Sequence, residues 1–125
     1  MLNGNELTGE IIGAALEVHR HLGPGLLESA YEECMVFELK NRGILVDRQQ
    51  ELPVLYKGVQ LNVGYRIDLL VNGQVVVELK SVQCLEKIHE AQLLTYLKMA
   101  KKKFGLLINF NVPILKQGIR RLLNG

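Results

Sequence analysis

Two carboxylates and an ammonium group stand inside the apolar runs of "YRIDLLVNGQVVVELK", residues 65–80: Asp68, Glu78 and Lys80. A stretch so rich in Val, Leu and Ile reads as core, and charge in a core needs a reason. Neighbouring carboxylates repel, and burial strips their hydration at several kcal/mol per ion. Lys80 offsets part of that cost and a divalent cation offsets more. Mg²⁺ is hard and takes oxygen ligands, commonly one or two carboxylates completed by water and phosphate. Asp68, Glu78 and the intervening carbonyl of Leu79 are donors of that kind. A second reading stays open on these residues alone: Lys80 forms a structural ion pair with Glu78 or Asp68 on a solvated sheet face.

Which residues share a face depends on the loop at "NG", Asn72–Gly73. Side chains alternate along a strand. A two-residue turn would pair Val71 with Gln74 and split Asp68 from Glu78 and Lys80. A three-residue loop with Gly73 left-handed would pair Leu70 with Gln74 and Asp68 with Val76. It would gather Ile67, Leu69, Val71, Val75, Val77 and Leu79 on one apolar face. Asp68, Leu70, Val76, Glu78 and Lys80 would occupy the other. The three-residue loop sorts the residues cleanly and is the register expected.

Further polar residues fall in helical segments. Glu28 lies in "GLLESAY", where a first-turn carboxylate also suits the helix dipole. Tyr31 follows three residues later and suits a core position. Gln92 and Tyr96 lie one turn apart in "QLLTY", and a buried Gln92 amide would need partners. His89 precedes Gln92 by three residues and shares its face, though a lone helical histidine is usually structural.

The elements that must position these groups follow from periodicity. Residues 6–21 read as helix, with Leu7, Ile11, Ala15, Val18 and Leu22 on one side. "LGPG" at 22–25 breaks it, and a second helix over about 26–42 stops at Gly43. Residues 44–82 read as an antiparallel meander of three strands with turns at "YKG" (56–58) and "NG". A third helix, about 86–101, packs through Ile88, Leu93, Tyr96, Leu97 and Ala100. "FGLLINF", 104–110, is a buried strand, and "GIRRLLN", 118–124, is read as a final edge strand. A helical crossover before 104–110 allows parallel pairing. The expected fold class is therefore mixed α/β (α+β), a central mixed sheet flanked by helices.

The chain has 125 residues, enough for one domain spanning 1–125 with a substantial core. Cys34 and Cys84 lie in no metal-ligand or disulfide spacing, which fits a reduced, cytoplasmic setting. "MLNGNELTGE" lacks the basic and apolar regions of a signal peptide. No apolar run reaches the roughly 18 to 20 residues of a membrane span, so no membrane partner is expected. A formal charge of +2 permits nucleic acid without arguing for it. Lys101–Lys103 read as a solvated helix end.

Four motifs in order carry a resemblance over about residues 6–120. "GLLESAY" matches the signature of the family named GxxExxY, and "RIDLLV", "VELK" and "HEAQLLTYL" fall where that family has them. The family is placed in the PD-(D/E)XK nuclease superfamily. The resemblance implies a restriction-endonuclease-like core with helices on both sides of the sheet. It implies a Mg²⁺-dependent phosphodiesterase, with Mn²⁺ as a substitute, acting on nucleic acid and on DNA first. The implied catalytic set is Glu28, Asp68, Glu78, Lys80 and Gln92. Asp68, Glu78 and Glu28 would hold the metal, joined by the Leu79 carbonyl named above, and Tyr31 and Tyr96 would touch substrate or support the site; His89, from its place on the helix face alone, is expected to reach the same cleft. The chain departs from the motif in having Ile67 where a proline often precedes the aspartate.

Two other functions compete. A nucleic-acid-binding or protein-interaction module on a silent nuclease fold would not bind Mg²⁺ through Asp68 and Glu78. A sugar hydrolase working through two carboxylates fits poorly with a lysine beside them and no tryptophan. The modest charge leaves little for reading bases, so a homodimer with two sites is the expected way to cut both strands.

Overall fold

Asn3 begins the first helix by accepting the Glu6 N–H at 2.8 Å, while the Glu6 carboxylate accepts the Asn3 N–H at 3.1 Å. This reciprocal cap opens α1, Gly4–Leu22, in a computed structural model that describes residues 2–125. Leu7, Ile11, Ala14, Ala15 and Val18 form its buried stripe. Gly23, at φ +67°, ends it. Helix α2, Glu28–Asn41, buries Tyr31, Met35, Val36 and Leu39.

Seven strands follow: β1 (Val46–Glu51), β2 (Val54–Tyr56), β3 (Val59–Leu61), β4 (Arg66–Val71), β5 (Val75–Lys80), β6 (Phe104–Asn109) and β7 (Ile119–Leu123). Helix α3, Lys87–Ala100, joins β5 to β6. The main sheet has the order β1-β4-β5-β6-β7. Strands β5 and β6 run parallel and the other neighbours antiparallel. The parallel pair is what a helical crossover permits, and the last strand pairs at the sheet edge as expected.

Helices α1 and α2 cover one face, against Leu69, Val71, Val75, Val77, Leu79, Leu106 and Ile108. Helix α3 covers the other, where Leu93, Tyr96 and Leu97 meet Val76 and Leu107. Gly105 permits the close approach of α3, since a Cβ there would stand 2.9 Å from Leu97 Cδ1 and 3.2 Å from Leu93. The expected mixed sheet with helices on both sides is present. No helix among the described residues is long and apolar enough to cross a membrane.

Three local expectations need correction. The stretch 44–71 does not form two long meander strands. Strand β1 stops before Pro53, which has no N–H to give a ladder. Beyond it, β2 and β3 form a separate two-stranded hairpin turned at Lys57 and Gly58, both at positive φ. The chain rejoins the sheet where Leu52 N–H donates to Tyr65 O at 2.9 Å. Second, Ile88 does not pack in the core; it is 67% exposed in the first turn of α3.

The third correction concerns the β4–β5 register. The loop holds three residues, but they are Asn72, Gly73 and Gln74, so Val71 pairs with Val75 and Leu70 with Val76. Asn72 and Gly73 are both left-handed, and Gln74 N–H donates to Val71 O at 2.9 Å. Relative to the expected pairing, the ladder is displaced by two residues. Displacement by an even number leaves side-chain faces unchanged. The alternation survives, and Asp68 now stands level with Glu78 rather than Val76.

Candidate active site

The regular pairing of β4 with β5 runs from Val71–Val75 to Leu69–Val77 and ends there. On the other side, the β1–β4 ladder skips one position, where Gln49 takes φ +51°. Asp68 thus lies where both ladders are interrupted. A left-handed glutamine is uncommon, and such local strain persists only when its surroundings enforce it.

Side chains replace the missing ladder bonds between β4 and β5. Asp68 N–H donates to Glu78 Oε2 at 2.9 Å, and Leu79 N–H donates to Asp68 Oδ2 at 2.8 Å. Each carboxylate stands in for a backbone carbonyl of the opposite strand. The N–H and C=O of an extended residue leave the strand on the same side. The Leu79 carbonyl therefore also faces the opening, whereas the Lys80 carbonyl turns to β6 and accepts Phe110 N–H at 3.0 Å.

Glu78 is 5% exposed. Burial, the Asp68 carboxylate and Glu28 push its carboxyl up to about 8, opposed by the Asp68 N–H and by Lys80. Asp68 is also raised, first by burial and then by Glu32, against the Leu79 N–H and Lys80. Tyr96 is raised by burial and by the negative charge of Glu78 and Asp68. These shifts mark one shared electrostatic neighbourhood built from β4, β5, α2 and α3, and perturbed groups of this kind concentrate where chemistry is done.

Glu28 is the first residue of α2, and its Oε2 accepts Ser81 N–H at 3.3 Å, directly after Lys80. Its carboxylate is thereby tied to the end of β5. Gln92 Nε2 donates to Tyr96 Oη at 3.2 Å, one turn apart on α3. The structure therefore brings Glu28, Asp68, Glu78, Lys80 and Tyr96 into one region, with Gln92 held to Tyr96.

Tyr31 and His89 are placed differently. Tyr31 is wholly buried and stacks on Phe110 with ring centroids 4.3 Å apart. Its hydroxyl donates to Gly23 O at 2.6 Å and accepts Leu26 N–H at 3.2 Å, tying down the loop that leads into Glu28. Removing that hydroxyl in Tyr31→Phe leaves both loop groups without their partner. The expected loss is about 1 to 2 kcal/mol of stability, measured by chemical denaturation; an unchanged midpoint would show that the clasp holds nothing. His89 turns back to the start of α3, where Nδ1 accepts Glu86 N–H at 2.9 Å.

Two residues of this region escape a reading of the sequence. Glu32 lies one turn after Glu28 and therefore on the same side of α2; its charge raises Asp68, and Arg48 holds it at 2.9 Å. Gln49 joins the two acids, its Nε2 donating to Glu32 Oε1 and reaching Asp68 Oδ1 at 3.5 Å. The i,i+4 spacing of Glu28 and Glu32 was a usable signal. Gln49 gives none, because nothing in its side chain foretells a left-handed backbone.

The donor set suits a hard divalent cation. Asp68 and Glu78 each accept a backbone N–H on one carboxylate oxygen; the second oxygen of Asp68 has only the long 3.5 Å approach of Gln49. Among the described residues no three His, Cys, Asp or Glu side chains form a ready-made cage. Mg²⁺ does not require one, since it retains several waters and binds through one or two carboxylates plus phosphate oxygens.

The family model of the PD-(D/E)XK nuclease superfamily matches residues 5–122. Searches of curated proteins and of solved structures gave no significant match.

Proposed function

Because the chain belongs to the PD-(D/E)XK nuclease superfamily, we propose that it hydrolyses phosphodiester bonds of nucleic acid, DNA being the expected substrate, with Mg²⁺ or Mn²⁺. The observation that supports this most is the reciprocal hold of Asp68 and Glu78 on each other's strand beside Lys80. It keeps the buried Glu78 and the half-buried Asp68 carboxylates level with each other and fixed in position, although their charges oppose.

In this reading Asp68, Glu78 and the Leu79 carbonyl hold the cation, and Glu28 supports it from α2. A bound divalent cation supplies charge neutralisation at phosphate and acidifies water. Lys80 orients the attacking water or stabilises the charge that develops on the phosphorus oxygens. Gln92 and Tyr96 fix the α3 side of the cleft. Gln49 and Glu32 support Asp68 from behind. The same reading takes residues 1–125 as one domain, and a homodimer as the arrangement that lets two sites cut both strands.

The test is a cleavage screen on single-stranded, duplex and branched DNA and on RNA, with Mg²⁺, Mn²⁺ or chelator. Metal-dependent cleavage of at least one substrate is expected, silenced by chelator. Binding of nucleic acid with neither calorimetric uptake of Mn²⁺ nor cleavage of any substrate would turn the reading into a silent binding module. Absence of metal uptake, cleavage and nucleic-acid binding together would end it.

A further inference from the structure

A groove of about 350 Å³ lies between Ile88, Ala91, Tyr96 and Met99 on α3 and two residues at the base of the β2–β3 hairpin, Val54 in β2 and Tyr65 after β3. No charged side chain lines it; Thr95 and Gln92 supply its polar groups. It is continuous with the candidate site, because Gln92 and Tyr96 belong to both. The Tyr96 hydroxyl is bonded to Gln92 and feels the charge of Glu78 and Asp68. The groove begins where the carboxylates end.

The fold fixes the tyrosine wall firmly. Gly64 turns the chain at φ +87° before Tyr65, and the Tyr65 carbonyl is pinned by Leu52 N–H at 2.9 Å. The rings of Tyr65 and Tyr96 are 6.0 Å apart and tilted by 58°, so they do not stack on each other. Tyr65 stays 46% exposed. A neutral lining that presents aromatic rings is a surface on which proteins stack a nucleobase.

We propose that this groove is a nucleobase subsite, taking an unpaired base from the strand whose phosphodiester lies at Asp68 and Glu78. The inference rests on the nuclease reading and deepens it. A base held in a duplex cannot reach Tyr65 without leaving its stack. The substrate class is therefore nucleic acid with a single-stranded or extruded nucleotide next to the scissile bond.

The test uses 2-aminopurine, whose fluorescence falls when it stacks, placed in turn at each position of a short single-stranded oligodeoxynucleotide. Binding is followed with Ca²⁺, so turnover is not needed. Quenching is expected at one position or two adjacent ones, together with preference for this strand over its duplex. Tyr65→Ala is expected to weaken binding roughly tenfold and to remove the quench, which Tyr65→Phe retains. Ile88→Ala, at an exposed position that leaves the core intact, is expected to reduce the quench. No quenching at any position, or quenching that persists in both alanine variants, overturns the subsite. A strand that is bound and quenched but never cut counts against the nuclease reading alone. A strand that is cut with no signal from the groove counts against the subsite alone.

Discussion

Lys80→Met and Asp68→Asn are each expected to lower kcat for metal-dependent cleavage by roughly 10² to 10³ or more, with the fold retained. The magnitude is that of removing one preorganised electrostatic group from a reacting centre. Both substitutions are chosen to spare the structure. Methionine keeps the aliphatic stem of a half-buried lysine, and asparagine keeps an oxygen for Leu79 N–H. The two variants should differ in metal binding. Asp68→Asn removes a charge from the cation site and should weaken Mn²⁺ binding strongly. Lys80→Met removes a positive neighbour of both carboxylates and should leave Mn²⁺ bound while the reaction stalls. Calorimetry on both variants, beside single-turnover kinetics, separates these outcomes. Wild-type rates in Lys80→Met would remove lysine from the mechanism.

The stability of the metal-free protein is expected to fall as pH rises from about 4.5 to about 8. Glu78 has a folded value near 8 against 4.5 for the free side chain. Between those values the folded protein holds a proton that the unfolded chain has released, so unfolding becomes easier with each step upward in pH. The whole effect is present below the unfolded value as added stability and is gone above the folded one. Its upper bound is about 5 kcal/mol, from roughly 1.4 kcal/mol per unit. Asp68 is displaced in the same direction and adds to the trend. Glu78→Gln should flatten the profile. Mg²⁺ or Mn²⁺ should restore stability at pH 8 far more than at pH 5, because the cation displaces the proton. Urea denaturation across this range, in chelator and in metal, measures both slopes; a flat chelator profile would mean that Glu78 is not held protonated.

Much of the placement of the candidate site is legible in the sequence. Asp68, Glu78 and Lys80 were visible as charge placed against the alternation, and their common face followed from the even periodicity of a strand. That conclusion survived the shift of the ladder to Val71–Val75, because a two-residue displacement conserves parity. The register itself was not legible. It depends on Gln74 joining the loop and on carboxylates replacing backbone acceptors at Asp68 and Glu78, and neither leaves a mark in hydrophobic patterning. Residues 54–61 look like sheet because they alternate, and only Pro53 hints that they stand apart. Ile88 fits the helical stripe, but it lies in the first turn of α3 and stays exposed. Membership of the nuclease superfamily is legible from "GLLESAY", "RIDLLV", "VELK" and "HEAQLLTYL" together. Gln49 remained hidden because its contribution comes from a backbone angle.

The paired amides of Asp68 and Leu79 give the molecule a built-in indicator. Their N–H groups donate to carboxylate oxygens, with N···O distances of 2.9 and 2.8 Å, rather than to carbonyls, so their nuclear shielding varies with whatever those oxygens carry. In a nitrogen-15 spectrum, two cross-peaks would trace the loading of the cleft by proton or cation, with no probe attached and no substrate present.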